Sequence, residues 1–161
     1  MNIGRRQVCS AMAFAATAGI CTSIADARLR DQWVVGYGQG VLEYSNYLDN
    51  DDLSKIIISD ASEAYSGGTV EIFISIDGTS PKKYSIVKFL VDGDLIEMSS
   101  NDGGTIATDC HVCASNFDAL WASLRRGREL IIQFDGKTAK FSLKGSTKAL
   151  PKSPPIADFY R

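Results

Sequence analysis

The chemistry this chain offers most openly sits in four residues, Cys110-His111-Val112-Cys113. Two thiols three positions apart can close a disulfide, exchange it with other thiols, or share a metal ion. Which of these they do depends on what holds them. An amphipathic helix is expected directly behind the pair. Ser115 stands as its N-cap with Asp118 three residues on, the capping-box pattern that ties up exposed backbone N–H groups. Phe117, Leu120, Trp121 and Leu124 recur at i, i+3, i+4 and i+7 and so share one face. Arg125 and Arg126 suit the negative end of the helix dipole, and Gly127 supplies a left-handed stop. The spacing therefore predicts a helix over about 115–126, docked through those four apolar residues, with the cysteines in the loop that enters it.

A helix N-terminus lowers a thiol's pKa, and the imidazole of His111 could assist, so a redox role is open. A thioredoxin-like enzyme, however, sets such a motif in a βαβ frame with further helices, and only one strong helix is present here. A closed zinc site needs four ligands, and Cys110, Cys113 and His111 supply three. His111 is the sole histidine, and no nucleophile elbow accompanies it for Ser-His-Asp chemistry. The residues thus point to a structural disulfide between Cys110 and Cys113. They give no catalytic, cofactor-binding or metal-binding set, and the chain is expected not to be an enzyme. Two other patterns resolve the same way. Gly36, Gly38 and Gly40 resemble a phosphate loop only superficially, because Val41-Leu42-Glu43-Tyr44 behind them reads as strand rather than helix, leaving a flexible or bulged strand. Asp49-Asn50-Asp51-Asp52 lacks the glycine and distal Glu of a calcium loop and reads as a solvated turn.

The start of the chain reads as an address. Arg5 and Arg6 precede an apolar run from Val8 to Ile24, and Ala25-Asp26-Ala27 has the small-x-small form of a signal peptidase site. The paired arginines leave the twin-arginine and general secretory routes both open. Cleavage after Ala27 predicts a periplasmic or secreted mature chain in a Gram-negative bacterium, with no stable membrane insertion afterwards. Cys9 and Cys21 depart with the signal, so Cys110 and Cys113 stay as the only cysteines, and an exported pair is most simply a disulfide. Removing Arg5, Arg6 and Asp26 leaves 15 basic and 18 acidic residues. With that balance and no basic-aromatic interleaving, nucleic acid is not expected as a partner. Arg125, Arg126, Arg128, Lys144, Lys148 and Lys152 do gather positive charge in the last third.

Between address and helix the chain is built of short strands. Trp33-Val34-Val35 opens the first. Ile56-Ile57-Ile58 reads as a buried strand, and Val70, Ile72, Ile74 and Ile76 alternate cleanly, with Phe73 on the opposite face either covered or kept for a partner. Tyr84 to Val91 and Leu95 to Met98 flank Asp92-Gly93, and Thr105 to Thr108 forms a short strand. Behind the helix, Leu130, Ile132 and Phe134 are paired across Asp135-Gly136 with Ala139, Phe141 and Leu143. About eight short strands and one helix predict an all-β fold, an antiparallel β-sandwich or flattened barrel. The expected organisation is a signal over 1–27, one sandwich domain over 28–150, and a proline-rich tail over 151–161.

From Asp109 to Leu150 the chain resembles the invasion-associated locus B family of exported bacterial proteins. The likeness rests on Cys113 before the helix, the apolar helix ending at Gly127, the strand Leu130 to Phe134, and Phe141-Ser142-Leu143-Lys144-Gly145 followed by Ala149-Leu150. Trp33-Val34-Val35 is similar to that family's opening strand. The resemblance implies a small periplasmic or secreted β-sandwich without catalytic apparatus or cofactor, associated in some bacteria with host invasion and virulence. Gly36 and Tyr37 stand where the family commonly has a cysteine, so a second disulfide is missing here. The expected function is that of a non-enzymatic accessory or binding protein with a protein partner in the envelope or host. Two alternatives stand beside it. One is an inhibitor or immunity protein blocking an envelope-attacking enzyme with the loop Leu48–Leu53 or Ser99–Thr105. The other is a thiol–disulfide protein using Cys110 and Cys113.

Overall fold

Strands that are apolar on one face need a second layer to bury that face. The computed structural model describes residues 30–38, 40–49, 52–61 and 69–155, and two antiparallel sheets supply the layers. In chain order the elements are β1 (Val34–Gly38), β2 (Val41–Tyr47), β3 (Lys55–Asp60), β4 (Val70–Ser75), β5 (Ile86–Val91), β6 (Asp94–Ser99) and β7 (Ile106–Ala107). There follow α1 (His111–Arg126), β8 (Glu129–Phe134), β9 (Lys137–Ser142) and α2 (Ser146–Ala149). One sheet has the order β1-β2-β3-β4-β7 and the other β6-β5-β8-β9. The sheets do not close into a barrel, so of the two expected architectures the sandwich is the one formed. The expected signal, residues 1–27, and the end of the tail, 156–161, lie outside the described residues.

Register follows from side-chain alternation. Ile56 and Ile58 on β3 stand opposite Ile74 and Ile72 on β4, and all four are fully buried. On the second sheet Phe89 of β5 lies between Ile96 of β6 and Ile132 of β8, while Leu130 stands opposite Phe141 of β9. Three Asp-Gly pairs turn the chain as expected. Asp77-Gly78, Asp92-Gly93 and Asp135-Gly136 all have positive φ at both residues, the geometry that matches a tight hairpin to strand twist. Phe73 is half-buried on the outer face, where the Lys55 ammonium stands 5.7 Å from its ring and 5.9 Å from the Tyr47 ring.

Several expectations need correction. The helix is not a short element starting at Ser115. It is sixteen residues long, His111–Arg126, with Cys110 as N-cap. Ser115 is exposed inside it. The N-cap side chain is a sulfur: Cys110 Sγ accepts the Cys113 N–H at 3.1 Å, doing what Ser or Asp oxygen ordinarily does. Gly127 is not a left-handed stop either, since its φ is −76°. Glycine is required there for space, because a Cβ would meet Val91 Cγ1 at 2.5 Å and Leu143 Cδ1 at 2.8 Å. The helix is also not single, since α2 adds a four-residue turn. The glycine run is not one bulged strand but the hairpin between β1 and β2, turning through Gly40 at φ +87°. Tyr84 lies outside β5, in a turn with φ +59°.

Candidate functional site

The two ends of the domain are tied together by residues far apart in sequence. The Trp33 N–H donates to Lys144 O at 2.8 Å, and the Ser142 N–H donates to an Asp31 carboxylate oxygen at 2.6 Å. Asn46 Nδ2, fully buried on β2, donates to Ser142 O at 2.8 Å and so stitches one sheet to the other. Gly145 has φ +83°, and a Cβ on it would sit 3.0 Å from Trp33 O. Trp33 thus meets the Phe141–Gly145 segment in space. Phe141 and Leu143 point into the core, and Gly145 lets the chain leave β9 for α2 while the Trp33 backbone passes beside it.

The α1 face falls where the helical spacing places it. Phe117, Leu120, Trp121 and Leu124 are all buried, and Ala114 joins them. Trp121 is the hub. It meets the Tyr44 ring edge-on at 5.1 Å and the Phe117 ring at 5.6 Å, and its indole N–H donates to Pro151 O at 2.9 Å. Arg125 Nε donates to Leu150 O at 3.0 Å. These two bonds hold residues 150–155 as a strap across α1.

Three clefts open nearby, two of them lined by the strap. One, of about 400 Å³, lies between β1 and α2 and is lined by Trp33, Val35, Gly145, Lys148 and Ala149 among others. A second, of about 380 Å³, lies between the β1–β2 hairpin and the strap, lined by Tyr37, Leu42, Tyr44, Pro151 and Pro155. On the far side a groove of about 420 Å³ runs between α1 and the strap, with Asp118, Arg125, Arg126 and Lys152 on its walls. Of the basic residues in the last third, Arg125, Arg126 and Lys152 border this groove and Lys148 borders the first cleft.

Sequence reading missed the most exposed apolar residues of the site, Val35 at 53% and Tyr37 at 82% exposure. Register puts them beside Tyr44 and Leu42, hence on the core-side face of their sheet. The signal was present in the alternation around the glycine hairpin. What it could not tell is that β1 is an edge strand bordered by open clefts.

Cys110 and Cys113 are joined as a disulfide with their Cα atoms 5.0 Å apart. Cys110 is exposed and Cys113 half-buried, and Val112 between them is 70% exposed. His111 is exposed in the first turn of α1, away from the clefts' lining. The acidic turn is used locally: the Asp49 carboxylate accepts the Leu53 and Ser54 N–H groups at 2.9 Å each, while Asn50 and Asp51 lie outside the described residues. Among the described residues no group of three His, Cys, Asp or Glu side chains could hold a metal ion, and no helix is long and apolar enough to cross a membrane.

A sequence profile described as YfjT matches residues 31–150, three quarters of the chain. The chain belongs to the YfjT family. The match begins at the Asp31 clamp and ends at Leu150, where the strap is tied to Arg125, so the YfjT region coincides with the sandwich that these contacts close. No curated protein and no solved structure matches the chain. The YfjT match spans far more of the chain than the Asp109–Leu150 segment that carries the expected likeness to the invasion-associated locus B family.

Proposed function

We propose that this protein is an exported, non-enzymatic binding protein, and that its partner seats on the exposed Val35 and Tyr37 of β1 and the clefts beside them. The observation that carries this reading is the exposure of Val35 and Tyr37 on the core-side face of an edge strand, where apolar residues ordinarily find cover. Trp33 and Gly145, two of the residues that resemble the invasion-associated locus B family, line the first cleft. That likeness favours a periplasmic or secreted location, as does the signal-like stretch before Arg28. Tyrosine at the middle of such a surface is the type of anchor that dominates protein–protein binding energy. Lys148 at the rim suits a partner with acidic side chains near its apolar contact.

The test is a photo-cross-linking residue placed at position 37 in the intact bacterial envelope, with position 71 as the control. Glu71 is exposed on the outer face of the same sheet. A discrete protein adduct at 37 and none at 71 supports the reading. No adduct, or the same adducts at both positions, removes it. A loop-acting inhibitor is the second reading, favoured by the 47% exposure of Leu53 on a loop braced by Asp49. It expects the adduct at position 53 instead.

A further inference from the structure

The Cys110–Cys113 disulfide occupies an unusual place for a structural staple. It closes the first turn of a helix that is already fixed by four buried side chains, Phe117, Leu120, Trp121 and Leu124. A loop of this size restrains the unfolded chain very little. Its sulfur atoms also lie where exchange chemistry is favoured. Cys110 is exposed, sits at the N-cap, and accepts the Cys113 backbone N–H on its Sγ. That sulfur stands at the positive end of a sixteen-residue helix, a position that favours a thiolate over a thiol once the bond is opened. No acidic residue stands in the first turn to oppose the charge, although Asp109 directly precedes it. Cys113 is half-buried as a residue, and Val112, between the two cysteines in sequence, presents an exposed apolar side chain. We infer that Cys110 and Cys113 form an exchange-competent disulfide that passes its oxidation to the dithiol of a protein partner in the same compartment. The inference does not rest on the β1 binding surface, from which the motif is separate.

The step balances as a two-electron exchange. A partner thiolate attacks Cys110 Sγ, the Cys110–Cys113 bond breaks, and Cys113 leaves and takes up a proton. The partner's second thiolate then attacks its own sulfur in the mixed disulfide. Cys110 leaves as a thiolate held by the Cys113 N–H, the partner is oxidised to a disulfide, and the pair is reduced to a dithiol.

The purified protein is equilibrated with a glutathione/glutathione disulfide series, and the thiols are trapped and counted by mass. Tryptophan fluorescence is followed in parallel. The expected result is half-reduction at a glutathione balance about a thousand-fold less reducing than a structural disulfide requires, with the fold retained. Persistence of the bond to the balance at which structural disulfides yield, or unfolding on reduction, overturns the inference. A second measurement fixes which sulfur is attacked. Cys113→Ser, leaving Cys110 as the lone thiol of the pair, should form a mixed disulfide with glutathione at that position at least ~10-fold faster than Cys110→Ser does at Cys113. Equal rates overturn the assignment of Cys110.

Discussion

At the scale of single residues, backbone geometry and small charge contacts set the local details. Tyr84 is displayed at φ +59° with 65% exposure, the Lys83 ammonium 4.8 Å above its ring and 2.6 Å from an Asp102 carboxylate oxygen. The hydrogen bond to Asp102 holds the Tyr84 phenol above the usual tyrosine range, and Lys83 followed by Tyr84 holds the Asp102 carboxyl below the usual carboxylate range. The signs give a window. The Asp102 contribution is lost as pH falls through its depressed value, and the Tyr84 contribution as pH rises through its raised one, so the contact is complete between about pH 4 and pH 10. Asp102→Asn should return the Tyr84 titration, followed by NMR of ring-labelled tyrosine, toward the ordinary value; an unchanged curve would contradict this origin of the shift. Gly145 is a stiffer constraint. Gly145→Ala adds a Cβ at positive φ and against Trp33 O, and should cost roughly 1–3 kcal/mol in urea melts. A neutral result would mean that the clamp of Trp33 onto Lys144 relaxes freely.

At the scale of elements, α1 shows how a helix serves an all-β fold. Its apolar face gives Trp121 to the core and its polar edge holds the strap through Trp121 and Arg125. Trp121→Ala should cost about 3–5 kcal/mol, the usual range for a large aromatic lost from a core. Trp121→Phe keeps most of the buried ring and loses the bond to Pro151 O, so it should cost much less, about 1–2 kcal/mol. Urea unfolding of both variants measures the separation; equal losses would show that the indole bond, not the packing, fixes the helix. The helix's start was misread from sequence for a specific reason. Cysteine is not among the usual N-cap residues, so Ser115 with Asp118 looked like the first turn, whereas the sulfur of Cys110 does the capping five residues before Ser115.

At the scale of the whole molecule, the two sheets are joined by packing and by few polar contacts, of which Asn46 to Ser142 is the most buried. Asn46 Oδ1 has no hydrogen-bond partner, so a charge placed there would be unsupported. Asn46→Asp introduces a carboxylate whose folded pKa is raised by burial. Its stability is therefore retained below about pH 4 and lost as pH rises, with roughly 3–4 kcal/mol gone by pH 7. Denaturant melts at the two pH values check this, and a flat dependence would mean that water reaches the site between the sheets.

The sequence by itself determined most of the strands, their faces and the three Asp-Gly turns. Alternation in Val70–Ile76 and Leu130–Phe134, and the three Asp-Gly pairs, are local signals that one strand or hairpin satisfies on its own. It also determined the docking face of α1, because 3.6-residue spacing fixes which side chains share a stripe. Tertiary structure alone decided the rest. Whether Gly127 turns left-handed or makes room for Val91 and Leu143 depends on neighbours 36 and 16 residues away along the chain. Trp33 meets Gly145 only because the first and last strands close on each other. Val35 and Tyr37 alternate like core residues, and register sets them beside Tyr44 and Leu42, yet they stay exposed on an edge strand bordered by open clefts. Local spacing fixes the direction of a side chain; only the packing of the other sheet fixes what it meets there.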